Sequence, residues 1–443
     1  MEPTRWVASR FNAQTYTETQ DLVLYNSYTG AILAFTKEEQ PEVVAALKEG
    51  IIDQKSEVVE YLKTSGILVP EQVDELQRAK LLHQSQHRTD MMHLIVMPTE
   101  ACNFGCTYCY QTFPRGKMTR PVINGLKQFV HDKARFLRSA SISWFGGEPL
   151  LAPEIIKELS ESFLESVAKY DADYTADIAT NGYDLTEELF PQLVKWQISR
   201  FMVTIDGPAV IHDQRRALRG GGGTFERIFN NLKNARYVDG QFEVYIRVNF
   251  DQNTLQAVQE LVNLLAEPFQ GDERFQLLFR PVGRWGGPHD DQLPVCTQRT
   301  ANLKIWEFTK LGLDHGVAMA SIIENSMLPG GSVCYAAKPH SLVIGSDGQL
   351  YKCTCAFEEE FNKVGRLYED GHIALDYDKF ALWVSSGDDT DPVCRTCFYR
   401  PACQGNHCPL YRMRTGKRPC PFEKRKIKTA LEMIWKDKTR VEW

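Results

Sequence analysis

Apolar and polar positions alternate in two distinct rhythms along this chain. Near the start, Phe11–Tyr16, Leu22–Asn26 and Ala31–Phe35 read as three short strands, separated by Thr19-Gln20-Asp21 and Tyr28-Thr29-Gly30. Thr36 then opens a helix, with Glu39 placed to complete a capping box. Val43, Val44 and Leu47 give that helix its apolar stripe, and Gly50 follows its end. Val58, Val59 and Leu62 mark a second helix, and Ser65-Gly66 turns into Ile67-Leu68-Val69, stopped by Pro70. The polar run His83–Asp90 reads as a linker. From Leu94 onward the rhythm changes to alternating strands and helices. Candidate strands are Leu94–Met97, Ser141–Phe145, Tyr174–Thr180, Arg200–Ile205, Val244–Phe250 and Phe275–Phe279, with helices such as Ile155–Lys169 and Phe225–Arg236 between them. That alternation predicts an α/β parallel sheet covered by helices, with function at the carboxyl ends of the strands. After about Leu328 the pattern breaks into short pieces rich in cysteine, which predicts a region stapled by metal.

Three domains are therefore expected. Residues 1–88 describe a winged-helix-like module, 89–320 the α/β core and 321–443 the cysteine-rich extension. The length of 443 residues agrees with two to four domains. A net charge of −6, with both signs scattered, argues against a nucleic-acid surface. No apolar run approaches the roughly 20 residues that span a bilayer, and no signal core follows the first residues. A cytoplasmic protein without a membrane partner is expected. Twelve cysteines in a reducing compartment point to metal or redox chemistry rather than to disulfides.

Cys102, Cys106 and Cys109 follow the first core strand with the spacing C-x3-C-x2-C. Three thiolates can hold three irons of a [4Fe–4S] cubane and leave the fourth iron open. Zinc would normally take four protein ligands, and no fourth is near in sequence. Phe145-Gly146-Gly147-Glu148-Pro149 follows the second strand, Thr180-Asn181-Gly182 the third, and Thr204-Ile205-Asp206-Gly207-Pro208 the fourth. Each alone would read as a turn; their places at successive strand ends make the set specific.

This set resembles the radical S-adenosylmethionine (SAM) superfamily, including the aromatic residue before the last cysteine. The resemblance implies a partial (β/α)6 TIM-like barrel. It implies that SAM chelates the open iron, and that an electron from the cluster cleaves SAM to a 5′-deoxyadenosyl radical. By the same resemblance, Tyr108 would lie near the adenine and Gly146, Gly147 and Glu148 near the SAM amino group. Thr204 would lie near the ribose and Arg216 near the SAM carboxylate. Many relatives carry Ser where this chain has Thr204; the hydroxyl is kept.

The second array runs Cys334, thirteen residues, Gly348, four residues, Cys353, then Cys394-x2-Cys397-x5-Cys403-x4-Cys408 and Cys420. It resembles the SPASM extension, which implies two auxiliary [4Fe–4S] clusters and three clusters in all. Carried over by position, Cys394, Cys397, Cys403 and Cys420 would hold the outer one, and Cys334, Cys353 and Cys408 the inner one. The four residues Gln404–His407 depart from the usual three, which bears on Cys408. Relatives with a fully ligated inner cluster carry a further cysteine before the match to Cys334; Glu324–Val333 has none. The inner cluster would then keep an open iron for a substrate thiolate, unless Cys296 or Cys355 fills it.

SPASM enzymes mainly modify ribosomally made peptides. Anaerobic sulfatase maturases place Asp directly after the match to Cys353, where this chain has Thr354. The other branch begins with a leader-peptide recognition element, which residues 1–88 resemble. The implied function is thioether cross-linking of a Cys-containing precursor peptide, with a flavodoxin or ferredoxin as electron donor. Carbon–carbon cross-linking, formylglycine formation and a non-enzymatic electron carrier are the alternatives. The last leaves the SAM-type loop, Gly146–Pro149 and Arg216 without a use.

Overall fold

The computed structural model describes residues 4–52, 56–112, 115–319, 322–385, 387–388 and 390–438. The chain divides into two compact units, Met1–His87 with Ser321–Lys338 and Val384–Trp443, and Arg88–Ala320 with Pro339–Trp383.

In the first unit, β1 (Arg5–Ala8) is followed by β2 (Asn12–Tyr16), β3 (Leu22–Asn26) and β4 (Ile32–Phe35). The last three form an antiparallel sheet. β1, unforeseen in the sequence, lies between β5 (Ile51–Ile52) and β6 (Leu68–Pro70). Leu24, Leu33 and Phe35 meet Val43, Val59, Leu62 and Leu68 in one core. Glu39 reaches back to the Thr36 amide at 2.8 Å, half of the expected capping box, although the helix itself is Gln40–Glu49. The first half of the expected linker at 83–90 is instead the end of a helix, Glu75–Gln86. Asp74 caps it by accepting from the Gln77 amide at 2.9 Å. Its polar sequence hid it, because it buries only Ala79 and His83. This unit draws distant parts of the chain together. Tyr25 donates to the Met327 carbonyl and Ser27 to the Phe398 carbonyl, both at 2.5 Å. Arg400 donates to the Leu76 carbonyl at 3.2 Å.

In the second unit, β7 (Met91–Thr99), β8 (Ser139–Gly146), β9 (Asp173–Thr180), β10 (Ile198–Thr204), β11 (Glu243–Phe250) and β12 (Phe275–Pro281) pair in parallel and in sequence order. Each covers one of the six expected strands, except that β10 ends at Thr204, one residue short of the expected Ile205. β13 (Ala318–Met319) extends one edge. The other edge carries β14 (Ser341–Ile344), parallel to β7, then antiparallel β15 (Gln349–Tyr351), β16 (Lys363–Leu367) and β17 (Ile373–Leu375). Residues beyond Leu328 were expected to lie apart from the α/β core. Ser341–Ile344 instead adds a fully buried strand to its sheet. The apolar run Leu342-Val343-Ile344 needs a two-sided burial that a short stapled loop would not supply.

Burial alternates residue by residue along β8 and through the second halves of β9 and β10. Ile142, Trp144, Ile178, Phe201, Val203, Ile246 and Val248 are fully buried. They share the outer face with helix residues such as Leu126, Ile156 and Phe163. The intervening residues, including Ser143, Asp177, Arg200, Met202, Thr204 and Arg247, face inward. An inner face this polar cannot be an ordinary core, and it marks a lumen.

Candidate active site

The three cysteines of the first motif sit on the loop that leaves β7. The Phe104 amide donates to Cys102 Sγ at 3.4 Å, and the Cys109 amide to the Cys106 carbonyl at 3.2 Å. Burial pushes the Cys102 thiol up to about 12 and raises Cys106 and Cys109 as well. Thiols so held stay protonated until a metal displaces the proton. Among the described residues, no three Cys, His, Asp or Glu side chains converge on one ion position. A cubane takes one thiolate per iron, so its ligands need not converge on a point. The soft, all-sulfur donor set suits such a cluster.

Gly146 and Gly147 are where the next strand end passes beneath this loop. Gly146 has φ +138, and a Cβ there would stand 2.1 Å from the Thr99 carbonyl oxygen. At Gly147 a Cβ would stand 2.3 Å from the Ala101 oxygen. Only glycine permits that approach. It lets the Glu148 amide donate to the Ala101 carbonyl at 2.9 Å. The Glu148 carboxylate is buried and accepts from the Leu150 amide at 2.9 Å, Thr180 Oγ1 at 2.6 Å and the Asn181 amide at 2.6 Å. Burial outweighs those bonds and pushes its pKa up to about 7. Two predicted strand ends thus converge on one carboxyl, and Asn181 continues to Asn103 of the cysteine loop at 2.8 Å.

Tyr108 points into a second convergence. Its hydroxyl donates to Asp206 Oδ2 at 2.5 Å and accepts from Arg216 Nη1 at 2.7 Å and Asn249 Nδ2 at 3.1 Å. Asp206 Oδ1 takes the Asn249 amide at 3.0 Å, and Arg215 holds Asp251 at 2.5 Å. Burial, with Arg216 and Arg215 close by, drives His212 down to about 2, so it is a neutral acceptor for the Asp206 amide. A cavity of about 690 Å³ opens beside this cluster, lined by Cys106, Thr107, Tyr108, Arg215, Asp251 and Leu293 among others. Buried Arg215 Nε and Nη2 and Arg216 Nε have no hydrogen-bond partner among the described residues. Arg215 lines the cavity with these spare donors while its guanidinium pairs with Asp251 and Asp206, an arrangement that suits a polar ligand group. Thr204 ends β10 on the inner face, in register with Arg247.

The four cysteines expected for an outer auxiliary cluster, Cys394, Cys397, Cys403 and Cys420, lie within the first unit. Burial pushes the Cys403 thiol up to about 12, with Cys394 and Cys397 near enough to add to the rise. Cys394 in turn feels Cys420, and Arg412 donates to its sulfur at 3.7 Å. Of the residues expected for the inner cluster, Cys334 and Cys408 belong to the first unit and Cys353 to the second. Cys408 caps a helix through Tyr411 at 3.4 Å, and Asn362 brackets Cys353 through its amide at 2.9 Å and carbonyl at 2.8 Å. Of the two spare cysteines, Cys296 is near Asp251. Cys355 shares hydrogen bonds with Cys353 and Tyr110, and the bond to Cys353 lowers its pKa. Asn249, Arg215 and Tyr110 were not singled out as site residues in the sequence, and Cys355 was weighed only as a fourth ligand of the inner cluster. Asn249 could have been, since it stands at the end of the fifth strand, where function was expected.

Residues 96–265 match the radical SAM superfamily. The AdoMet-dependent heme synthase of Methanosarcina barkeri is 28% identical over 45% of this chain and 54% of its own length. The chain thus spans about half of that relative. A cysteine-type anaerobic sulfatase-maturating enzyme of Clostridium novyi is 20% identical over 71% of this chain and 87% of its own. Among solved structures, native anSMEcpe with bound AdoMet and Kp18Cys peptide aligns with a TM-score of 0.60 at 17% identity, covering 79% of this chain and 99% of that one. Streptococcus suis SuiB bound to precursor peptide SuiA aligns with a TM-score of 0.50 at 13% identity, covering 93% and 98%. At such identities the structural likeness speaks for the fold. Residues 96–265 carry a radical SAM domain, and the chain has the mixed α/β radical SAM fold built on a central parallel sheet.

Proposed function

We propose that this protein is a radical SAM peptide maturase that joins a Cys sulfur to a carbon of an acceptor residue in a precursor peptide. The observation that carries the reading is the convergence of Glu148, Thr180, Asp206 and Asn249 around the Cys102–Cys109 loop, at the ends of successive parallel strands. Cys102, Cys106 and Cys109 would hold the SAM-binding cluster. The reduced cluster supplies the electron that cleaves SAM to a hydrogen-abstracting radical. Glu148 would receive the SAM amino group, and Arg216 its carboxylate. Tyr108, fixed by Asp206 and Asn249, would close the adenine side, and Thr204 would meet the ribose.

Peptide substrates are supported by the neighbours, since both anSMEcpe and SuiB were solved with peptides bound. Residues 1–88 would bind the leader, by adding it as a strand to an exposed sheet edge. The auxiliary cysteine sets given by their spacing would hold clusters that supply an acceptor for the electron left after bond formation. Thr354, standing where the sulfatase maturases place a carboxylate, weighs against formylglycine formation.

The test is anaerobic reaction of the reduced enzyme with SAM and a Cys-containing precursor. The expected result is 5′-deoxyadenosine, a product lighter by two hydrogens per cross-link, and thiols that no longer alkylate. A product lighter by two hydrogens with every thiol free would mean carbon–carbon bonding instead. No 5′-deoxyadenosine would defeat the enzymatic reading.

A further inference from the structure

Thioether formation releases a proton, and the inner face of the sheet carries a partly exposed carboxylate able to take one. Thr354 offers none at the position where the sulfatase maturases carry one. Glu148, Asp206 and Asp251 are 1%, 0% and 2% exposed and engaged by the contacts above. Asp177 differs. It lies on the inner face of β9, with its side chain 34% exposed.

A single chain of hydrogen bonds runs to it across four strands. Ser143 Oγ on β8 donates to Asp177 Oδ2 at 2.8 Å. Ser143 Oγ is 3.0 Å from His93 Nε2 on β7, and His93 Nδ1 is 3.0 Å from Ser341 Oγ on β14. The directions follow from chemistry. An ionised carboxylate only accepts, so the Ser143 proton points at Asp177. Ser143 Oγ must then accept from His93, which fixes the Nε2–H tautomer, and Nδ1 accepts from the Ser341 hydroxyl. Arg200, in register with Asp177 on β10, approaches to 4.0 Å. Three successive donors therefore point toward one acceptor, on a face where an ordinary core would be apolar. Burial nonetheless raises the Asp177 pKa, which suits a group that must take up a proton.

We propose that Asp177 accepts the proton lost by the substrate thiol, with Ser143 and His93 as positioning residues. The inference rests on the maturase reading above. In the balanced reaction, a hydrogen atom leaves the acceptor carbon for the SAM-derived adenosyl radical. The S–H bond is exchanged for S–C, the proton passes to the Asp177 carboxylate, and the remaining electron reduces an iron–sulfur cluster.

The test uses the full holoenzyme and a precursor peptide with uniformly deuterated side chains. Asp177→Asn keeps an acceptor for Ser143 but cannot take the proton. Iron content, SAM affinity and deuterium transfer into 5′-deoxyadenosine should stay within about twofold of wild type, while cross-linked product falls about 100-fold. Asp177→Glu should recover part of the product. Ser143→Ala should lower product less than Asp177→Asn, again without changing deuterium transfer. Product formed equally by Asp177→Asn and wild type would overturn the inference alone. So would a parallel loss of deuterium transfer and product at normal iron content, which would make Asp177 a substrate-positioning group. Wild-type enzyme that cleaves SAM without taking deuterium from the peptide would overturn the maturase reading, and the inference with it.

Discussion

The Tyr108 hydroxyl is shared by an acid, a guanidinium and an amide, so its removal is costly beyond one bond. Tyr108→Phe leaves Asp206 and Arg216 short of a partner in a dry site. A hydrogen bond to a charged group is worth about 1.5–3 kcal/mol, and the thermal midpoint of the variant should drop accordingly. An unchanged melt would mean that the hydroxyl does not tie β10 and β11 to the cysteine loop. Glu148 gives a pH dependence of definite sign. Its native pKa of about 7 lies above the ordinary carboxylate value of 4.5, so the native state holds the proton more tightly than the unfolded chain. Its contribution is present at low pH and is lost as pH rises through about 7. The midpoint of the SAM-free protein should therefore decline as pH rises from about 4.5 to about 7 and level off above that, and Glu148→Gln should flatten that decline. Saturating SAM should oppose it, since the proposed ammonium contact favours the carboxylate. A Gln variant with the wild-type slope would assign the titration elsewhere.

At the scale of elements, the strands of the α/β core were legible because each carries a run of β-branched or aromatic residues bounded by turn residues. Helix Glu75–Gln86 was not, because only Ala79 and His83 are buried on it and its polar faces look like linker. The same limit applied to β1, whose Arg5-Trp6-Val7-Ala8 is too short to show a period. β14 was missed for another reason: its apolar run was clear, but its partner β7 is far away in sequence. Motifs were legible to the extent that they sit at strand ends. Asp206 appeared within one and Asn249 stood at another strand end, while Arg215 became visible only when the strands aligned it with Asp251 and Tyr108. Gly146 and Gly147 were read as allowing close approach, and the approach is to the cysteine loop's own backbone. Gly147→Ala would therefore push the Ala101 carbonyl, and Cys102 with it, out of place. Reconstituted Gly147→Ala protein should lose the iron of the SAM-binding cluster, about four per chain, while retaining its other clusters. Full iron loading would show that the loop can yield.

At the scale of the whole molecule, the chain is not assembled as consecutive modules. Residues up to His87 share a compact unit with Ser321–Lys338 and Val384–Trp443, the segments that carry Cys334 and the outer cluster set. Tyr25 and Ser27 bond to Met327 and Phe398, and helix Glu75–Gln86 bonds to Arg400 through Leu76. Arg400 begins the short helix that ends at Cys403. Deleting residues 1–88 should therefore do more than remove leader binding. It strips the outer set of the strands and helix that hold it, and should cost that cluster, about four irons, while the SAM-binding cluster on β7 remains. The reciprocal variant, Cys102, Cys106 and Cys109 all changed to Ala, should lose the SAM-binding cluster and all SAM cleavage yet keep the outer one. Iron and sulfide content with electron paramagnetic resonance of the reduced proteins would compare the two. A truncated chain that kept every cluster, and lost only precursor affinity in a direct titration, would mean that the N-terminal segment is a separable module after all. If the outer cluster is lost instead, as the shared core of this unit leads one to expect, leader binding has to be probed by point changes on the edge strands rather than by deletion.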